Sequence, residues 1–124
     1  KSSKGSWDAP ILGVLQLLND RDDVVTLSSC SGRCYLWPGS TVPSKREGIE
    51  RVRETHDPPV DSFLDLDAGQ FQEGWWWLRY EPYVIHARCK DLQAAVEVLR
   101  VCRAGGVKEA VILSAQNHPV VSLR

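Results

Sequence analysis

Two short β-type runs, Val24-Val25-Thr26-Leu27 and Cys34-Tyr35-Leu36-Trp37, are separated by only six residues, Ser28-Ser29-Cys30-Ser31-Gly32-Arg33. Two strands around so compact a link make a hairpin, and the rest of the fold is expected to assemble around it. The link is also chemically dense. Short hydroxyl side chains and exposed amides can hold an anion or a carboxylate. Gly32 permits positive φ or close approach of a ligand to the backbone, and Arg33 adds a fixed planar charge. The same residues equally suit an ordinary serine-rich turn.

The flanking chain alternates helical and strand signals. Ile11, Leu12, Val14, Leu15, Leu17 and Leu18 recur at spacings of three and four, which predicts a helix over 9–19, with Pro10 in its first turn and Ser6 or Asp8 as cap. Residues 45–56 are charged enough for a surface helix but read better as an exposed strand ending at Asp57-Pro58-Pro59, and 60–66 as one or two helical turns capped by Asp61 or Ser62. Gly74-Trp75-Trp76-Trp77-Leu78-Arg79-Tyr80 reads as a strand that Pro82 interrupts. In the strand over 83–89, Tyr83, Ile85, Ala87 and Cys89 share one face, and Val84, His86 and Arg88 the other. Asp91 caps a second helix whose stripe is Leu92, Ala95, Val96, Leu99 and Cys102 or Arg103, stopped by Gly105-Gly106. Apolar strands over 107–114 and 119–123 follow. Long neighbouring strands with two covering helices predict an α+β fold, a mixed β-sheet under two main helices, as one domain over 1–124.

At 124 residues, 43% hydrophobic and 25% charged, the chain has the composition of a soluble globular domain. No run of about 18 apolar residues crosses a membrane and no secretory leader is visible, so a cytoplasmic protein with reduced thiols is expected. There is no Met, so Lys1 reads as a trimmed or internal start. The net charge of −1 excludes a global basic field, so any nucleic acid must be met by a local patch. Cys30 and Cys34 are closely spaced but Cys89 and Cys102 are not, which argues against a four-thiolate zinc site. Cys89 and Cys102 suit core positions.

Common catalytic fingerprints are missing. Arg33 follows Cys30 after two residues, too soon for the ring of amides in a cysteine-phosphatase loop. No Walker, dinucleotide, H-E-x-x-H or G-x-S-x-G motif occurs. What remains is Asp8, either a helix cap or a base; His86 with Arg88, an imidazole and a guanidinium on one strand face; and the Trp75-Trp76-Trp77 run, at least one of whose indoles is expected outside the core, for a partner or a stacked base. Lys45, Arg46, Arg51 and Arg53 form the dense basic cluster, interleaved with acids as on a solvated face.

Lys4-Gly5-Ser6-Trp7-Asp8, followed by Ser28-Ser29-Cys30-Ser31-Gly32-Arg33 and by Glu81-Pro82-Tyr83-Val84-Ile85-His86-Ala87-Arg88-Cys89, resembles the wybutosine-synthesis methyltransferase family, with its K-G-S-x-D, S-S-C-[SA]-G-R and E-P-F-x-x-H-V-x-C segments. The resemblance runs from Lys4 to about Ala115. It implies a methyltransferase that is not of the Rossmann type, uses S-adenosyl-L-methionine, and methylates the N4 ring nitrogen of a tricyclic guanosine derivative next to the anticodon of tRNA-Phe. By resemblance, residues Ser28 to Arg33 would line the active pocket with Asp8 and His86 near it; on chemical grounds Ser28, Ser29, Cys30, Ser31 and Gly32 are assigned to the cofactor, and Asp8, His86 and Arg33 to catalysis. Arg88 and Trp76 would meet the substrate. Relatives continue beyond the equivalent of Arg124 with a further strand and helix, so a shortened chain is expected. A non-catalytic small-molecule or RNA-binding module, with the serine-rich link as an anion pocket, is the alternative reading.

Overall fold

The computed structural model describes residues 7–39, 53–65 and 74–124. The expectations for Lys45, Arg46 and Arg51, and for Lys4-Gly5-Ser6, lie outside the described residues. The chain forms two compact units: Lys1–Ser31 with Pro82–Arg124, and Gly32–Glu81.

In the first unit, Pro10 opens a single 3-10 turn, Ala9–Ile11, that runs into α1, Leu12–Asn19. Strands β1 (Val24–Cys30), β5 (Val84–Cys89), β6 (Ala110–Ser114) and β7 (Val120–Leu123) form a four-stranded sheet of order β1-β5-β7-β6. Its pairings are all antiparallel. The period-two pattern of β5 is realised as read: Ile85, Ala87 and Cys89 are buried, while Val84 and His86 are half-buried and Arg88 is exposed. The buried side packs with Leu15 of α1 and with Ala95 and Val98 of α2, Leu92–Ala104. Each large aliphatic side chain removed from water there contributes about 1.5–3 kcal/mol. Asp91 caps α2 as expected, its Oδ1 accepting from the Ala94 N–H at 2.9 Å. Gly106, at φ 94°, takes the left-handed turn after α2, and the Val107 N–H then donates to the Cys102 carbonyl at 2.9 Å.

The α2 stripe is turned from its expected position. Ala94, Ala95, Val98 and Leu99 are buried, while Leu92 and Val96 are 52% and 54% exposed. Both stripes have helical spacing, so periodicity does not choose between them. Close approach to the sheet favours the face carrying the two small alanines.

In the second unit, β2 (Arg33–Pro38) lies between β3 (Arg53–Thr55) and β4 (Trp76–Glu81), again with antiparallel pairing throughout. Cys34, Tyr35, Leu36 and Trp37 are all buried, as in a strand covered on both faces. Cys34 and Leu36 pack with Phe63 and Trp76, and on the other face Tyr35, Trp37 and Trp77 stack at centroid separations of 5.1 and 6.1 Å. Phe63 belongs to a 3-10 turn, Asp61–Leu64, which has no side-chain cap; the Arg53 guanidinium instead binds the carbonyls of Ser62 and Phe63.

Two expectations are corrected. The α+β class holds, but the described strands form two antiparallel sheets rather than one mixed sheet. The expected hairpin of β1 and β2 also does not form: β1 pairs with β5, and β2 with β3 and β4. Ser28, Ser29 and Cys30 are strand residues, so the link shrinks to Ser31 and Gly32. A link with Gly32 at φ 93° redirects the chain into a second sheet, a choice that strand propensity does not encode.

Candidate functional site

The site is built around an irregularity in β1. Thr26 pairs with Ala87, but the next paired residue, Ser28, faces His86, so Leu27 is an extra residue on β1. Without this bulge, Leu27 would stand opposite His86. With it, Ser28 Oγ and His86 Nδ1 come within 2.9 Å. The bulge is held from α1: the Asn19 side chain accepts the Thr26 N–H at 2.9 Å and donates to Thr26 Oγ1 at 2.9 Å. Asn19 carried no sequence signal beyond ending a helix.

The pairing sorts the expected cofactor-binding residues. Ser28 and Cys30, opposite His86 and Val84, share the sheet face of Arg88, whereas Ser29 stands opposite buried Ile85. Ser31 is engaged locally: its N–H and its hydroxyl both donate to Asp8 Oδ2, at 2.9 and 3.1 Å. Asp8 occupies the N-cap position before Pro10 without making a side-chain cap. Its carboxylate braces the end of β1 instead.

Arg33 and Gly32 belong to the second unit. Arg33 Nε donates to Glu81 Oε2 at 2.7 Å and Nη1 to Glu54 Oε1 at 3.1 Å, while the Tyr35 hydroxyl donates to Glu81 Oε1 at 3.0 Å. Antiparallel register explains this, since Arg33 stands opposite Glu81 and Tyr35 opposite Glu54. The bond to Glu81, outweighing burial and joined by that to Glu54, raises the guanidinium's pKa further. Burial pushes the Glu81 carboxyl up, but the hydrogen bonds from Arg33 and Tyr35 with the Arg33 charge outweigh it, and the net shift is downward. The Gly32 carbonyl accepts from His56 Nδ1 at 2.7 Å. Trp76, expected to meet substrate, packs on Cys34, Leu36 and Phe63; the indole in solvent is Trp75, 75% exposed.

Two cavities lie within the first unit. One of about 370 Å³, on the helix side, is walled by Ile11, Val14, Tyr83, Ile85 and Leu123, with Ser31 among its lining. The other, about 250 Å³, sits at the end of β5, with Asp22, Arg88, Lys90 and His118 beside Val24 and Val25 in its wall. Burial raises the pKa of the Cys89 and Cys102 thiols, which suits the packing role expected of them.

A family model described as Methyltransferase TYW3 matches residues 1–124. The chain belongs to this family. Among the TYW3-family relatives, a tRNA wybutosine-synthesizing protein 3 homolog of Mus musculus is 33% identical over 117 residues, 90% of this chain and 44% of the mouse protein. A tRNA(Phe) 7-((3-amino-3-carboxypropyl)-4-demethylwyosine(37)-N(4))-methyltransferase of Archaeoglobus fulgidus is 30% identical, over 91% of this chain and 57% of its own. The chain thus spans about half the length of these relatives. The solved structure of PH1069 protein from Pyrococcus horikoshii superposes with a TM-score of 0.84 at 24% identity, covering 98% of this chain and 62% of that one, and so shares the fold. Two of the motif segments read in the sequence meet in space at Ser28 and His86. Three features escaped sequence reading: the Asn19 bonds to Thr26, the two carboxylates on Arg33 and the cavity beside Arg88. The Asn19 bonds span seven residues, while Arg33 with Glu54 and Glu81, and Asp22 with Arg88, are distant in sequence and are brought together by strand pairing.

Proposed function

We propose that this chain carries the methyl-transfer site of an S-adenosyl-L-methionine-dependent tRNA methyltransferase of wybutosine biosynthesis, acting on the N4 ring nitrogen of the tricyclic guanosine derivative in tRNA-Phe. The observation that carries the reading is the meeting of Ser28 and His86 at 2.9 Å, 58 residues apart, within a chain that belongs to the TYW3 family. The Archaeoglobus fulgidus relative is named for this transfer.

Methylating a ring nitrogen leaves a proton to be removed, and positioning supplies much of the rate. His86 is the group placed to take that proton. When Nδ1 donates to Ser28 Oγ, Nε2 keeps its lone pair and can act as the base. Asp8 serves at one remove, fixing Ser31 and with it the end of β1. Arg33, neutralised by Glu54 and Glu81, holds the start of β2 rather than meeting a reacting atom. The methyl donor supplies an electrophilic sulfonium methyl when bound. The donor set on this sheet face fits it: the Ser28 hydroxyl and the Arg88 guanidinium are exposed and can bond an adenosyl ribose or a carboxylate. Among the described residues no helix is long and apolar enough to cross a membrane.

Incubating the protein with labelled S-adenosylmethionine and tRNA-Phe carrying the unmethylated tricycle tests the proposal. Label entering that tRNA, and not tRNA lacking the tricycle, is the expected result. Equal or no incorporation into both overturns it.

A further inference from the structure

We infer that the cavity at the end of β5 beside Arg88 is a binding site for an α-amino acid zwitterion, that is, an α-carboxylate with its α-ammonium group. The inference rests on the methyl-transfer reading and assigns a subsite to it. The cavity, about 250 Å³, is lined by acids and bases together, including Asp22, Asp23, Arg88, Lys90 and His118. Their existing bonds decide which of these are available. Asp23 is taken by Arg21, whose Nε and Nη2 donate to its two oxygens at 2.9 and 2.8 Å. Nearby Asp91 is spent on the α2 cap. His118 Nδ1 donates to the Lys90 carbonyl at 3.2 Å. Among the described residues, the side chains in this wall that make no hydrogen bond are two cations, Arg88 and Lys90, the latter in the field of Asp23, and one carboxylate, Asp22.

Two cations with one anion complement a carboxylate and an ammonium on the same carbon. A phosphate would meet the same two cations, but Asp22 would repel it. The wall is also braced, since the Lys90 N–H donates to the Asp23 carbonyl at 2.8 Å. Arg88 stands two positions from His86 on the same face of β5, about 7 Å along the strand. A ligand whose reacting end lies at His86 can therefore extend an amino acid tail toward the cavity. Two molecules of the proposed reaction carry such a tail: the methyl donor, through its methionine end, and a tRNA base with the 3-amino-3-carboxypropyl group for which the Archaeoglobus fulgidus relative's substrate is named.

Binding measurements separate the sources. S-adenosylhomocysteine and 5′-methylthioadenosine share the thioether and adenosine but differ in the amino acid end. Anticodon stem-loops bearing the tricycle with and without the aminocarboxypropyl chain differ in the same group. Dissociation constants for all four are measured with the wild type and with Arg88→Ala and Asp22→Asn. If the donor fills the cavity, the preference for S-adenosylhomocysteine falls about tenfold in both variants and the stem-loop preference is unchanged. If the substrate fills it, the stem-loop preference falls instead. If the wild type shows neither preference, or both preferences survive both substitutions, the inference is overturned. Failure of the methyl-transfer reading shows separately, as absence of label transfer by the wild type, and leaves these equilibrium comparisons able to decide the site.

Discussion

Ser28 Oγ lies 2.9 Å from His86 Nδ1, and the one-residue bulge at Leu27 is what brings the hydroxyl there. If His86 accepts the proton and Ser28 holds its tautomer, the two substitutions have graded effects. His86→Ala lowers kcat for methyl transfer about 10²-fold or more, while Ser28→Ala, which leaves the imidazole in place, costs less. Both variants keep the wild-type unfolding midpoint within a few degrees, because neither residue belongs to the buried core. Single-turnover transfer beside thermal unfolding checks this. Full activity in His86→Ala removes it from the proton path.

Asn19 acts through backbone geometry. Asn19→Ala removes the bonds to the Thr26 N–H and hydroxyl, and is expected to destabilise the fold by about 1–2 kcal/mol. It also loosens the bulge, so the imidazole nitrogen resonances of His86 shift toward those in Ser28→Ala. Deleting Leu27 removes the extra residue, so Ser28 follows Thr26 in regular pairing, still opposite His86, and the His86 resonances keep their wild-type positions. Unchanged His86 resonances in Asn19→Ala would show that the brace does not control the pair.

Arg33 and Glu81 test structural against catalytic roles. Arg33→Ala leaves the Glu81 and Glu54 carboxylates without their guanidinium partner, with an expected loss of about 1–3 kcal/mol. Arg33→Lys recovers only part, since one ammonium does not reproduce the Nε and Nη1 fork. Denaturant unfolding measures both. A variant with wild-type stability and no turnover would return Arg33 to the reacting centre.

Glu81 also gives the fold a pH dependence. Its carboxyl is held below its ordinary 4.5 in the folded state, so the unfolded chain binds the proton more tightly. The stabilisation is complete at neutral pH and is lost as the pH falls from about 4.5 through the lower folded value. Glu81→Gln flattens this part of the stability profile. An unchanged acid limb in urea titrations between pH 6 and pH 3 would refute the assignment.

Asp8 receives two bonds from Ser31, and its replacements separate charge from geometry. Asp8→Asn keeps an acceptor oxygen and retains most stability. Asp8→Ala leaves the half-buried Ser31 N–H without that partner, at a cost of about 1–3 kcal/mol. Amide hydrogen exchange at Ser31 reads the difference directly, with faster exchange expected in Asp8→Ala alone.

Local chemistry determined a good deal of this protein. The alternation from Val84 to Cys89 chose which side of β5 is buried, because side chains in a strand point to opposite faces whatever the partner strand. The Asp91 cap and the stop at Gly105-Gly106 bounded α2, because caps act within one turn of the chain. The motif residues around Ser28 and His86 were likewise legible as a family signature. Tertiary structure decided the rest. Whether β1 pairs with β2 or with β5, which stripe of α2 is buried, and whether Leu27 or Ser28 faces His86 depend on register between segments far apart in sequence. A one-residue shift in that register changes every cross-strand neighbour while leaving local propensity untouched. For that reason Arg33, which reads as a reactive charge in the serine-rich link, is a clamp between two carboxylates, and Asn19, which reads as the end of a helix, sets the geometry of the site.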